Sequence, residues 1–126
     1  MVSVPVSIGE LIDKLSILQV KRLKVSNESK LEFINKEYDL LYDMSVEFLQ
    51  RKDISEVYDD LVNVNTKLWE VEDELRVIES TKNFDDTFIE LARQVYYTND
   101  DRFRLKDKIN NLTNSEVREQ KDYKKY

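Results

Sequence analysis

Cysteine and histidine are absent from this sequence of 126 residues, and glycine and proline occur once each. Without a thiol or an imidazole, one chain cannot form a disulfide, a thiolate nucleophile, a Ser-His-Asp triad or a zinc site of the usual ligands. Tight turns and β-hairpins depend on glycine and proline, so their scarcity favours long helices joined by short breaks. We identify no catalytic residues, no metal ligands and no cofactor motif, and we expect a non-enzymatic protein.

Long apolar runs are missing too. No run approaches the roughly 20 apolar residues that cross a bilayer, and the first residues lack the basic and apolar segments of a signal peptide. The net charge of −6 is opposite to the basic footprint that is typical of nucleic-acid binding. We therefore expect a cytoplasmic protein that binds neither nucleic acid nor a membrane.

Apolar residues at helical spacing, separated by short polar breaks, predict four helices in a single domain of residues 1–126. The predicted helices cover about residues 8–24, 28–51, 54–78 and 84–112. Ser7 and Glu10 form a capping box before the first helix, and Asn83 is the predicted cap of the fourth. Residues 1–6 form an extended leader and residues 113–126 a polar tail. The predicted fold is all-α, an antiparallel bundle of about four helices with a long helix 3–helix 4 hairpin.

The third helix carries an apolar residue at every heptad position. These positions are Ile54, Val57, Leu61, Val64, Leu68, Val71, Leu75 and Ile78. A sustained period of 3.5 residues is typical of helices that pair with a left-handed twist. The seam is explained either by the core of the bundle or by oligomerisation. Because the first helix is shorter than the hairpin, one end of the hairpin stays exposed, which is a reason to expect a partner or a second copy. We expect a homo-oligomer that uses apolar helix surface left over from the core.

The fourth helix interrupts its own apolar seam with Thr98 and Arg102. A buried arginine must be paired, since an isolated buried charge costs several kcal/mol. In a hairpin of helices 3 and 4, Asn65 lies level with Thr98, so Asn65, Thr98, Asn99 and Arg102 form one polar layer. Three interpretations stay open: the layer fixes the register of the helices, Asn99, Asp100 and Arg102 line a ligand or metal site, or these side chains are simply exposed.

Trp69 lies off the seam of the third helix. It either packs on a third helix or floors a pocket in which Arg76 and Arg93 converge on an anion. The acidic residues around Trp69 form either a face that is exposed to solvent or a magnesium site. The candidate residues for binding a small anionic ligand are Trp69, Glu72, Asp73, Arg76, Arg93, Tyr96, Asn99, Asp100 and Arg102.

Three blocks of the sequence carry a resemblance to a known family. They are S-x-G-E-L-I-D-K-L at residues 7–15, L-W-x-x-E-D at residues 68–73, and F-I-E-L-A-R-x-V-Y-x-T-N-D at residues 88–100. The chain resembles a bacterial and phage α-helical domain family of unknown function. The resemblance implies an intracellular helical protein and brings no activity with it. Since the blocks include polar residues as well as apolar ones, it favours a shared pocket between helices 3 and 4.

These observations lead to three functional hypotheses. The first is a non-enzymatic helical interaction module that forms a homo-oligomer. The second is a small-molecule or anion-binding protein, or an enzyme, with a polar pocket between helices 3 and 4. The third is a helical mutase-like enzyme that holds a dicarboxylate with Lys14 and Arg22, which requires both side chains to face one cavity.

Overall fold

The computed structural model describes residues 1–126 and contains four α-helices and no strand. The helices are α1 (Ile8–Lys24), α2 (Glu28–Leu49), α3 (Lys52–Thr81) and α4 (Asp86–Thr113). The predicted all-α fold is confirmed, and α3 and α4 form the most extensive helix pair. None of the four helices combines the length and the apolar character that crossing a membrane requires.

The helix starts show which capping predictions were right. The Ser7 hydroxyl accepts a hydrogen bond from the Glu10 amide at 3.0 Å, and α1 has the predicted bounds. The predicted cap of α4 at Asn83 is wrong. Asp85 caps that helix instead, because its carboxylate accepts hydrogen bonds from two backbone amides of the first turn, at 3.1 and 3.3 Å. The helix therefore begins two residues later than predicted.

The shortest helix, α1, lies at the centre of the bundle. It contacts all three other helices, and seven of its seventeen residues are buried. Ile12 belongs to the main core cluster, together with residues from the first half of α3 and the last turns of α4. Gly9 lies so close to α4 that a Cβ atom would stand 2.3 Å from the carbonyl oxygen of Lys106. Only glycine allows this approach.

Two hydrogen bonds tie the start of α1 to the end of α4. The Gly9 amide donates to Asn110 Oδ1 at 2.7 Å, and the Ile8 amide donates to the Ser115 hydroxyl at 3.2 Å. Asn110 and Ser115 are both buried. Because two free amides of the first turn of α1 are satisfied from the end of α4 and from the residue Ser115 just after it, the two ends of the helical region are fixed to each other.

The hairpin of α3 and α4 is well covered only at its base. Ile54 and Leu61 have no exposed surface, whereas Leu75 and Ile78 are half-buried. In α4, no residue before Thr98 is buried. The far end of the hairpin is therefore a two-helix element that α1 and α2 do not enclose.

Residues 114–126 form no helix and run back along α4. The Tyr126 ring packs against Tyr96 and Tyr97, with ring centroids 5.4 and 4.8 Å apart. The Tyr126 hydroxyl also donates a hydrogen bond to Asp100. This segment therefore covers the face of α4 that carries Tyr96 and Asp100.

Candidate functional site

Arg102 is paired with a carboxylate of α1 that the sequence analysis did not single out. Asp13 has no exposed surface. Arg102 donates from Nε to Asp13 Oδ1 at 3.0 Å and from Nη2 to Asp13 Oδ2 at 2.6 Å. Two parallel bonds of this kind fix the plane of a guanidinium as well as its position. The hydrogen bonds that Arg102 donates to Asp13 raise the pKa of Arg102 above its ordinary value, so this side chain is a permanent cation.

Asn65 of α3 completes the network around the buried carboxylate. Its Nδ2 donates to Asp13 Oδ1 at 3.0 Å and to the Ser16 hydroxyl at 2.8 Å. The carboxylate can only accept, and this requirement orients the amide with its nitrogen toward Asp13. Two polar atoms are left over, because Asn65 Oδ1 and Arg102 Nη1 make no hydrogen bond within the chain. They form an acceptor and a donor that a ligand can use.

The predicted polar layer is thus brought together only in part. Asn65 and Arg102 meet at Asp13, and Thr98 is buried on α4, one turn before Arg102. Asn99 lines a different cleft. Asp13 was not predicted from the sequence, although the pattern of residues around it on α1 indicates a buried position. Gly9, Asp13, Ser16 and Val20 follow each other at spacings of four, three and four residues and are all buried. They form a second buried stripe beside the apolar stripe of α1.

A cleft of about 430 Å³ lies beside this network, between α1, α3 and α4. Its volume falls within the roughly 300–1,000 Å³ of small-molecule sites. The residues that line it are Ile17, Val20, Asn65, Leu68, Trp69, Glu72, Asp73, Arg76 and Arg102. Five of the candidate residues therefore meet here, with one aromatic ring, two carboxylates and two guanidiniums. Four of the five share one face of α3, and Arg102 comes from α4.

The charges of the cleft are largely balanced. Arg76 forms an ion pair with Glu72, one turn away on α3. Arg102 is paired with Asp13, and Asp73 is exposed and makes no ion pair. The lining therefore does not offer the excess of positive charge that a polyphosphate needs.

The other candidate residues lie outside this cleft. Arg93 donates to the Tyr97 hydroxyl at 3.1 Å and lies 3.7 Å from Glu90. Tyr96 packs against the C-terminal Tyr126, which also donates to Asp100. The structure thus separates Arg93 from Arg76, and the two arginines do not meet at one site.

A second cleft, of about 200 Å³, also includes Arg102. It is lined by Glu10, Asn99, Arg102, Phe103, Lys106, Glu119 and Lys121. Lys106 Nζ lies 2.6 Å from a Glu10 oxygen and 3.3 Å from a Glu119 oxygen. Burial opposes the charge of Lys106, but the hydrogen bond and the charge of Glu10 outweigh it, so the pKa of Lys106 is raised. Ion pairs within the chain already occupy this cleft.

Lys14 and Arg22 do not share a cavity. Both side chains are exposed, and the Arg22 guanidinium lies 4.2 Å from the ring centroid of Tyr38 on α2. This geometry removes the dicarboxylate hypothesis. The acidic residues around Trp69 likewise form no group of three or more side chains arranged around a metal position.

A separate surface feature lies on α2. This helix contacts α1 and α3 but not α4, and Ser45 is its one buried residue. Phe33, Leu40 and Met44, which we call the α2 stripe, are 76%, 41% and 52% exposed. They follow each other at spacings of seven and four residues, so they lie on one face of the helix. An exposed apolar face of this kind is a candidate interaction surface.

Comparison with curated proteins and with solved structures finds no match to this chain. One sequence family does match, over residues 2–126, and it is described as a family of unknown function, DUF6165. The resemblance to a helical family of unknown function is thereby supported at the level of the family. Because the match extends over nearly the whole sequence, the chain belongs to the family of unknown function DUF6165.

Proposed function

We propose that this protein is a non-enzymatic helical interaction module that self-associates through the α2 stripe. The observation that carries the proposal is the exposure of Phe33, Leu40 and Met44 on one face of a helix whose other face packs on α1. Removing such side chains from water is favourable by about 25 cal/mol per Å² of apolar surface. Pairing of this face would therefore lower the free energy of the chain.

The total surface of the chain supports the need for a partner. The accessible area is 8833 Å² for a mass of 15.1 kDa. A compact monomer of this mass exposes roughly 7,100 Å². A standard interface removes about 800 Å² from each partner. One such interface would bring the area per chain about halfway to the compact value.

A second copy of the same chain fits the α2 stripe in charge as well as in apolarity. An antiparallel pairing of two α2 helices, centred near residues 38–39, sets Phe33 beside Met44 of the partner subunit. Lys36 and Asp43 lie on one flank of the stripe, so the same pairing sets Lys36 beside Asp43 of the partner subunit. Two-fold symmetry makes each of these contacts twice.

Sedimentation velocity across the micromolar range tests the proposal. We expect a reversible monomer–dimer equilibrium. Phe33→Glu buries an unpaired charge in the interface and should weaken the dimer by roughly 100-fold or more. Leu23→Glu is the matched control, because Leu23 is also 76% exposed but lies on α1, outside the stripe. Circular dichroism checks that both variants keep their helix content.

Charge exchange tests the orientation of the two helices. Lys36→Glu and Asp43→Lys should each weaken the dimer, whereas the variant with both changes should regain most of the affinity, because the opposite charges again face each other. A wild-type chain that sediments as a monomer at the highest concentration would refute the proposal. Equal effects of Phe33→Glu and Leu23→Glu would also refute it.

A further inference from the structure

The cleft between α1, α3 and α4 offers a donor and an acceptor that are held in fixed positions. Arg102 Nη1 and Asn65 Oδ1 are free of hydrogen bonds within the chain, and both residues line the cleft. Asp13 Oδ1 accepts a bond from each of the two side chains, at 3.0 Å in both cases. Because the same buried oxygen anchors both, the guanidinium and the amide need no reordering to receive a ligand.

Beside this pair, the cleft presents apolar surface. Val20 is buried, and Ile17, Leu68 and Trp69 are half-buried. The indole of Trp69 supplies a flat face for a ring or a branched aliphatic group. The cleft thus joins a polar end, with one donor and one acceptor, to an apolar wall.

We propose that this cleft binds a zwitterionic α-amino acid with a large apolar side chain. The ligand's carboxylate accepts a hydrogen bond from Arg102 Nη1, its ammonium donates to Asn65 Oδ1, and its side chain lies against Trp69. This is a binding site in addition to the self-association surface on α2, and neither depends on the other.

The charges of the cleft select against ligands with only one sign of charge. Asp13 already balances the charge of Arg102, and Glu72 and Asp73 add two carboxylates to the lining. A phosphate or another multivalent anion therefore meets as much repulsion as attraction. A ligand without a carboxylate leaves Arg102 Nη1 unused, and a ligand without an ammonium leaves Asn65 Oδ1 unused.

Trp69 reports directly on the cleft, because it is the only tryptophan of the chain. L-phenylalanine and L-leucine should change its fluorescence in a saturable way, and calorimetry should give the same dissociation constant. Phenylpropionate lacks the ammonium and phenethylamine lacks the carboxylate, so each should bind at least roughly tenfold more weakly. Inorganic phosphate should give no saturable signal.

Two variants locate the binding to this cleft. Arg102→Lys keeps a cation beside Asp13 but removes the free Nη1 donor, and it should weaken binding by roughly tenfold or more. Trp69→Leu removes the flat apolar face and should also weaken binding, which calorimetry can measure without the tryptophan. This second variant tests the site independently if Arg102→Lys proves unstable. Arg93→Lys is the matched control outside the cleft and should bind like the wild type.

Three results would overturn the proposal. The first is the absence of heat and of a fluorescence change with both amino acids. The second is binding of phenylpropionate, phenethylamine or phosphate as tight as that of L-phenylalanine. The third is unchanged binding in a folded Arg102→Lys variant together with unchanged binding in Trp69→Leu.

Discussion

Replacing Arg102 with methionine removes the only cation that is paired with Asp13, a carboxylate with no exposed surface. Two unit charges about 4 Å apart attract each other by about 4 kcal/mol at the effective dielectric constant of a protein. Removing one partner of a buried pair typically costs about 3–5 kcal/mol. Because the Arg102 side chain is 26% exposed, water can partly replace it. We expect the free energy of unfolding to fall by about 3 kcal/mol.

Urea unfolding followed by circular dichroism measures this loss. With an m-value of about 1.5 kcal/mol/M, the midpoint should fall by about 2 M. Arg104→Met is the matched control, since Arg104 is on the same helix and pairs with Asp101 on the surface, with side-chain exposures of 67% and 53%. That change should cost no more than about 0.5 kcal/mol.

A double-mutant cycle with Asp13→Asn isolates the pair itself. Asparagine keeps an acceptor for Asn65 but removes the charge, so the coupling free energy between positions 13 and 102 should be about 2 kcal/mol. If Arg102→Met is as stable as Arg104→Met, or if the cycle shows no coupling, then water solvates Asp13 and the reasoning fails.

Two further changes probe the contact between α1 and α4. Gly9→Ala should lower the free energy of unfolding by more than about 2 kcal/mol, because its Cβ would collide with the Lys106 carbonyl oxygen. This collision should outweigh the better helix propensity of alanine, which is worth about 1 kcal/mol. A variant that is more stable than the wild type in thermal melts would contradict the observed packing. The raised pKa of Lys106, which Glu10 causes, means that its contribution to stability is complete below its ordinary pKa of 10.5 and is lost as the pH rises through the higher folded value. Thermal melts in alkaline buffers should therefore show a steeper loss of stability for the wild type than for Lys106→Met, and parallel curves would exclude this linkage.

Local signals explain why much of the fold could be predicted. The capping box at Ser7 and the apolar stripe that follows it lie within a few residues of each other, so the bounds of α1 follow from the sequence alone. The start of α4 was missed because Asn83 and Asp85 are both good caps. The choice between them depends on which side chain reaches the free amides of the first turn.

The candidate site could be predicted only where one helix sufficed to define it. Trp69, Glu72, Asp73 and Arg76 recur at helical spacing and share one face of α3, and that face lines the cleft. The face of α4 that carries Arg93, Tyr96 and Asp100 is just as regular along the sequence, but the C-terminal segment packs on it at Tyr96 and Asp100. The rotation of α4 about its own axis is a tertiary property, and no pattern within that helix specifies it.

Asp13 was missed for a related reason. Its partner Arg102 lies 89 positions away, and periodicity along α1 identifies a face without showing which helix covers it. Because α1 is shorter than the α3–α4 hairpin, its length suggests that it packs at the periphery of the bundle. The stripe of Gly9, Asp13, Ser16 and Val20 was the available sign that α1 is central instead.

The bonds that join α1 to α4 have a consequence for how the chain is made. The amide of Ile8 finds its acceptor 107 positions later, and Asp13 finds its cation 89 positions later. During synthesis, α1 emerges first, and its carboxylate must stay hydrated until most of α4 has followed. The hairpins α1–α2 and α3–α4 can form from neighbouring residues, whereas docking of α1 on α4 needs the residues up to Ser115. Burial of Asp13 is thus a step that must wait until Arg102 has been synthesised.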